Sequence, residues 1–102
     1  MLYRKLGKLD DKVSIIGMGT HQFGGAWGQS YSQEDITFLL NSAYDLGVNL
    51  IDTAACYGKN HLSEKLIGKA IKGNRDNWIV ATKFGREFLD GHRAKTAFNL
   101  ES

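Results

Sequence analysis

The strongest constraint on this chain is a switch in hydrophobic period. Short apolar runs alternate with segments whose apolar residues recur every three or four positions. Val48-Asn49-Leu50-Ile51-Asp52 and Trp78-Ile79-Val80-Ala81-Thr82-Lys83-Phe84 read as strands, the latter apolar enough to expect cover on both faces. Between Ser32 and Gly47, Ile36, Leu39, Leu40, Ala43 and Tyr44 form one stripe, and Ser32 with Asp35 resembles a capping box, so a helix of about 14 residues is expected there. A second helix is expected to start between Asn60 and Ser63, with Leu62, Leu66, Ile67, Ala70 and Ile71 inward and Gly73 as its stop. Upstream, residues 2–6 and 12–16 read as a small hairpin, followed by Ile16-Gly17-Met18-Gly19-Thr20 and the glycine-rich run at 23–28. The order strand, helix, strand, helix, strand implies right-handed crossovers and a parallel sheet. Ala94 to Ser102 is expected to begin another helix.

Length and composition exclude several classes. At 102 residues the chain is enough for one small domain and too short for two. No apolar run approaches the roughly 18 residues that span a bilayer, and the first residues have no signal-peptide core, so membrane insertion is not expected. One cysteine, Cys56, allows no internal disulfide and suits a reducing, cytoplasmic setting. Lys59, Lys65, Lys69, Lys72 and Arg75 recur at helical spacing and read as a solvated face. They lack the density and interleaved aromatics of a nucleic-acid surface. Gly17-Met18-Gly19 lacks the third glycine of a dinucleotide fingerprint, and no phosphate-binding GxxxxGK[ST] run occurs.

Chemical character gathers at the ends of the strand-like runs. Asp52 closes one and precedes Thr53, Ala54, Ala55, Cys56, Tyr57 and Gly58, while Lys83 closes the next. In a parallel α/β fold both ends lie on the same edge, where sites form. A carboxylate, a phenol and an ammonium are therefore expected as neighbours. An ammonium beside Tyr57 stabilises phenolate and suits the phenol to donating a proton to a developing alkoxide, with Asp52 orienting the lysine. A purely structural Asp–Lys pair and a packing tyrosine are the plainer readings of the same residues. Cys56 is more simply a small buried side chain than a nucleophile. His21, His61 and His92 show no metal-ligand spacing, so no metal site is expected. Trp27 suits a pocket wall or a loop anchor.

The segments IGMGTHQFGG at 16–25, DTAACYG at 52–58, SEKLIGKAIKG at 63–73 and RDNWIVATKFG at 75–85 together resemble the aldo-keto reductase family, especially its potassium-channel beta-subunit-like and bacterial oxidoreductase branch. The resemblance covers essentially the whole chain. It implies an α/β fold, the amino-terminal part of a TIM (β/α)8 barrel, with about three parallel β/α units after a short β-hairpin and barrel strands near 15–19, 48–52 and 78–83. Residues 1–102 would then be an incomplete reductase domain. By resemblance Asp52, Tyr57 and Lys83 match three members of the catalytic tetrad, with Tyr57 as general acid for carbonyl reduction. Gly19 and Thr20 are implied near the nicotinamide, Asp52 near its ribose, and Trp27 in the substrate pocket. The fourth member, a histidine after a later strand, has no counterpart in these residues, and His92 does not replace it.

The implied reaction is reversible hydride transfer between NADPH, with NADH as the alternative, and an aldehyde or ketone. Its partner is thus a small carbonyl or alcohol, with no nucleic acid. A cofactor-binding accessory or sensor, or a short protein-interaction module built on the same fold, are the alternatives. A complete barrel takes about 250 residues. Three strands alone expose barrel edges, so self-association and little turnover by the isolated chain are expected.

Overall fold

Helix α1 begins where Ser32 can cap it. In the computed structural model, which describes residues 1–28, 30–90 and 93–96, α1 runs Gln33–Asp45. The Ser32 hydroxyl accepts from the Asp35 amide, and the Asp35 carboxylate accepts from the Ser32 amide at 3.0 Å, so aspartate completes the capping box. Ile36, Leu40 and Ala43 are buried on one face, at the spacing that stacks side chains along a helix. Tyr44 stays partly exposed at 39%, with its ring 5.5 Å from that of Trp78. The helix ends at a turn in which Gly47, at φ 97°, takes the left-handed geometry glycine tolerates.

Two antiparallel strands, β1 (Tyr3–Lys5) and β2 (Lys12–Ser14), form the expected hairpin. It is tied to the start of the next element. Tyr3 donates to the Gly47 carbonyl at 2.7 Å, and Asn49 donates its amide to Ser14 Oγ while its side chain bonds the Ser14 amide and the Lys12 carbonyl. The hairpin thus sits at the end where the parallel strands begin.

Those strands are β3 (Met18–Gly19), β4 (Leu50–Asp52) and β5 (Ile79–Ala81), in spatial order β3-β4-β5 and parallel throughout. Helix α2 (Leu62–Ala70) links β4 to β5, and α1 links β3 to β4. This is the architecture of the amino-terminal part of a (β/α)8 barrel. Phe23, Ile36, Leu40, Ala43, Val48, Ile51, Ile67, Ile71 and Trp78 form one buried cluster where both helices meet the sheet. Gln33 adds a polar tie between the helices by donating to the Leu66 carbonyl at 2.9 Å.

Several expectations change. Each strand is shorter than its apolar run, and Ile15 and Ile16 stay exposed ahead of β3. Full cover of β5 on both faces is not found, since Ile79 and Val80 are only partly buried and Ala81 is exposed. Leu62 is exposed, as the first residue of α2 it lies past the core's edge. Most clearly, Ala94–Thr96 are not helical. They belong to β7 (Arg93–Thr96), which pairs antiparallel with β6 (Arg86–Asp90) in a register that places Asp90 opposite Arg93. The Asp90-Gly91 dipeptide is a hairpin signal that outweighs weak helical spacing. Residues 97–102, with the rest of the expected helix, lie outside the described residues, as does His92.

Leu40 is 1% exposed at the centre of the cluster. Leu40→Ala is expected to destabilise the protein by about 2–5 kcal/mol, read as a lower urea midpoint with unchanged slope.

Candidate active site

Parallel pairing in register brings three strand ends level. Gly19 lies opposite Asp52, and Asp52 opposite Ala81. Backbone bonding continues past the strands, from the Thr53 amide to the Ala81 carbonyl at 2.8 Å and from the Ala55 amide to the Lys83 carbonyl at 3.1 Å. Lys83 is thereby carried to the same edge as Asp52, although Ala55 and Lys83 both lie past the ends of the regular strands.

The Lys83 ammonium has three N–H donors and three acceptors within reach. Asp52 Oδ1 is at 2.8 Å, the Thr53 carbonyl at 2.9 Å and the Tyr57 hydroxyl at 3.4 Å. It also stands 5.2 Å from the centre of the Tyr57 ring. The Asp52–Lys83 pair is about half exposed, not buried. Desolvation of Lys83 favours its neutral form, but the hydrogen bonds to Asp52 and then Tyr57, with the charges of both, outweigh it and hold its pKa above the ordinary lysine value.

Tyr57 is placed by the tight loop after β4. Its amide donates to the Ala54 carbonyl, and its own carbonyl accepts from the Ser63 amide at 3.0 Å. From the other side Gly24 packs flat against the Tyr57–Gly58 peptide. A Cβ at Gly24 would fall 2.3 Å from the Tyr57 carbonyl carbon, and one at Gly58, where φ is 92°, would fall 2.7 Å from the Gly24 Cα. Two glycines are thus required for this backbone contact. Asn60 and His61, both at positive φ, then turn the chain into α2. His61 pairs with Glu64 at 2.8 Å, and Thr82 donates to the other Glu64 oxygen at 2.7 Å. Burial raises the Glu64 pKa, but the bonds from His61 and Thr82 outweigh it and leave it below the usual value.

Around these groups opens a cleft of about 380 Å³, lined by His21, Gly24, Cys56, Tyr57, Lys83 and Arg86 among others. The His21 ring tilts against that of Tyr57 at 5.0 Å between centroids. Cys56 is only partly buried and faces this cleft, against the plainer reading of it as core. Gly19 is exposed at the end of β3, with open space where a Cβ would stand, so a planar group can approach its backbone. Thr20 is buried, and its hydroxyl donates to the Asp52 carbonyl at 2.9 Å. Asp52 bonds Lys83 through Oδ1 and has a second oxygen for a ligand hydroxyl. Trp27 lies in a short 3₁₀ turn, Ala26–Gly28, but its side chain falls outside the described part.

Two residues at this edge escape a reading by chemical type. Thr53 and Ser63 are both buried, with hydroxyls 2.9 Å apart. The available signal was Ser63 standing four residues before Ile67 and eight before Ile71, a polar residue on an otherwise apolar helical stripe.

The model of the Aldo/keto reductase family matches residues 15–99. Aldo-keto reductase YhdN of Bacillus subtilis is 42% identical over 111 aligned positions, covering 100% of this chain and 33% of that protein. L-galactose dehydrogenase of Arabidopsis thaliana is 40% identical over 86 residues, covering 81% of this chain and 26% of its own length. The solved holo form of an aldo-keto reductase of Bacillus halodurans superposes with a TM-score of 0.70 at 36% identity, over 87% of this chain and 28% of that one. The chain thus spans about a third or less of these proteins.

Removing the charge of Asp52 isolates its effect on Lys83. Asp52→Asn is expected to lower the Lys83 titration midpoint toward the ordinary value, followed by NMR of 13C-labelled lysine. Because the folded pKa is raised, the stabilisation from Lys83 is fully present below the ordinary lysine pKa and is lost as pH rises through the folded value. Gly24→Ala is expected to shift the Tyr57 peptide and to destabilise by about 1–3 kcal/mol, measured by denaturation and by movement of the Tyr57 ring resonances.

Proposed function

We propose, because this chain belongs to the aldo/keto reductase family, that it carries the proton-transfer half of a reversible reduction of small aldehydes or ketones by NADPH. The observation that carries this reading is the single ammonium, Lys83 Nζ, held 2.8 Å from Asp52 and 3.4 Å from the Tyr57 hydroxyl at the mouth of a cleft. The residues present suit a nicotinamide cofactor. Gly19 offers bare backbone for a flat ring, and Asp52 offers an acceptor for a ribose hydroxyl. A bound reduced nicotinamide supplies the hydride.

The chain's own groups manage the proton. Lys83 donates to the Tyr57 oxygen, so the phenol's hydrogen is directed elsewhere and is available to a carbonyl oxygen in the cleft. As negative charge develops on that oxygen, the phenolic proton passes to it, leaving a phenolate beside the Lys83 ammonium. The ammonium stabilises this phenolate, and Asp52 and the Thr53 carbonyl keep the ammonium in place. In the reverse direction the Tyr57 phenolate takes the proton from an alcohol.

His21 and Arg86 also line this cleft, and in this reading they border the substrate. A reducing, cytoplasmic setting goes with this reading, since it keeps Cys56 beside the cleft as a thiol. Residues 1–102 serve as the first units of the barrel domain, whose later strands supply the histidine and most of the remaining cofactor contacts. The isolated 102-residue chain is accordingly expected to show little carbonyl-dependent NADPH oxidation, and robust turnover would overturn that part of the reading. In the complete protein, Tyr57→Phe removes the proton donor and keeps the ring. It is expected to lower kcat about 10²–10⁴-fold while NADPH binding persists, as measured by steady-state turnover and cofactor fluorescence. Unchanged turnover would remove Tyr57 from the chemistry.

A further inference from the structure

We propose that Ser63, in the first turn of α2, is a positioning residue that sets the Asp52, Tyr57 and Lys83 geometry through a buried chain of hydroxyls, an assignment that rests on the reductase reading. Three hydroxyls meet in one buried cluster. Thr20, Thr53 and Ser63 are 1%, 2% and 0% exposed. Thr20 Oγ1 donates to the Asp52 carbonyl at 2.9 Å, so toward Ser63 it can only accept. Ser63 Oγ donates toward Thr20, to Oγ1 at 3.2 Å and to the carbonyl at 3.5 Å, and therefore accepts from Thr53 Oγ1 at 2.9 Å. The direction of the chain is thus determined as Thr53 to Ser63 to Thr20 to the Asp52 carbonyl.

Every end of this chain is a group that holds the reacting residues. The Thr53 carbonyl accepts from Lys83 at 2.9 Å, and Asp52 is the ammonium's carboxylate partner. The Ser63 amide donates to the Tyr57 carbonyl at 3.0 Å. One residue of α2 therefore touches the backbone or side chain of the loops from β3 and β4 and of the tyrosine's own peptide. Without Ser63 Oγ, the Thr53 hydroxyl loses its partner in a site closed to solvent. The β4 end then relaxes toward another arrangement, and the Lys83 acceptors move with it.

Ser63→Ala removes Oγ and keeps the amide. Thr53→Val breaks the same link from the other side, and Thr53→Ser retains it without added bulk. In the complete protein, Ser63→Ala and Thr53→Val are each expected to lower kcat ten- to a hundredfold with KM little changed, since small misplacements carry costs of that order. The double variant should be no worse than either single one, and Thr53→Ser should stay near the parent. Independently of turnover, the 13C-lysine signal of Lys83 should titrate lower in Ser63→Ala than in the parent. A lower melting temperature with unchanged kcat and unchanged Lys83 titration would overturn the assignment and leave Ser63 a packing residue. If the parent protein reduces no carbonyl, the reductase reading falls, while the Lys83 titration still decides the role of Ser63.

Discussion

The parallel register of β3, β4 and β5 is the constraint on which the rest depends. It sets Gly19, Asp52 and Ala81 side by side, so the chain leaves all three strands at one edge. A slip of one residue between β4 and β5 would turn every β5 side chain to the other face. It would also break the Ala55 to Lys83 backbone bond that delivers the ammonium. Ile51 at the middle of β4 is fully buried in the cluster formed with α1 and α2, so a one-residue slip of β4 would turn it out of the core. The position of the charged site thus follows from an apolar requirement on the other side of the same three-residue strand.

The loops need more than register. Tyr57 lies five residues past Asp52, and a segment of that length has many conformations unless something excludes them. Gly24 excludes them on one side by close backbone contact, and Ser63 on the other by hydrogen bonding to the Tyr57 carbonyl. Steric and polar restraints are complementary here. The glycine contact limits how far the peptide can approach, while the directed bond limits how it can rotate.

Much of this was legible in the residues, for identifiable reasons. The helix from Ser32 announced itself through local chemistry, a cap and an apolar stripe, and local chemistry does not need the rest of the fold. Asp52 and Lys83 were legible as strand-end residues because parallel topology brings strand ends together whatever the loop details. Tyr57 joined them through motifs shared with a family. Three things were not legible. Strand ends depend on where the regular ladder stops, which the apolar run does not mark, so β4 and β5 are both shorter than their runs. The β6–β7 pairing competed with a weak helical pattern across Ala94–Thr96. The hydroxyl chain joins residues 20, 53 and 63, which share no period and meet only when α2 docks on the sheet.

The Asp52–Lys83 pair is easily mistaken for a source of stability. Both side chains are about half exposed, and an ion pair so open to water contributes little to folding. Its value is geometric and electrostatic. Two acceptors, Asp52 Oδ1 and the Thr53 carbonyl, point one ammonium at one phenol, and the dielectric around them decides how strongly that ammonium acts. Coulomb energy scales inversely with dielectric constant, so in the proposed reaction a flat cofactor and a substrate covering the cleft would strengthen the interaction of Lys83 with a developing phenolate severalfold. The same covering raises the desolvation cost of the ammonium, which a directly bonded carboxylate offsets. An open, weakly stabilising pair is therefore compatible with the proposed reaction. In the proposed reaction Asp52 would keep Lys83 charged once the cleft is filled, and Lys83 would gain its full effect on Tyr57 only with a substrate there to take the proton.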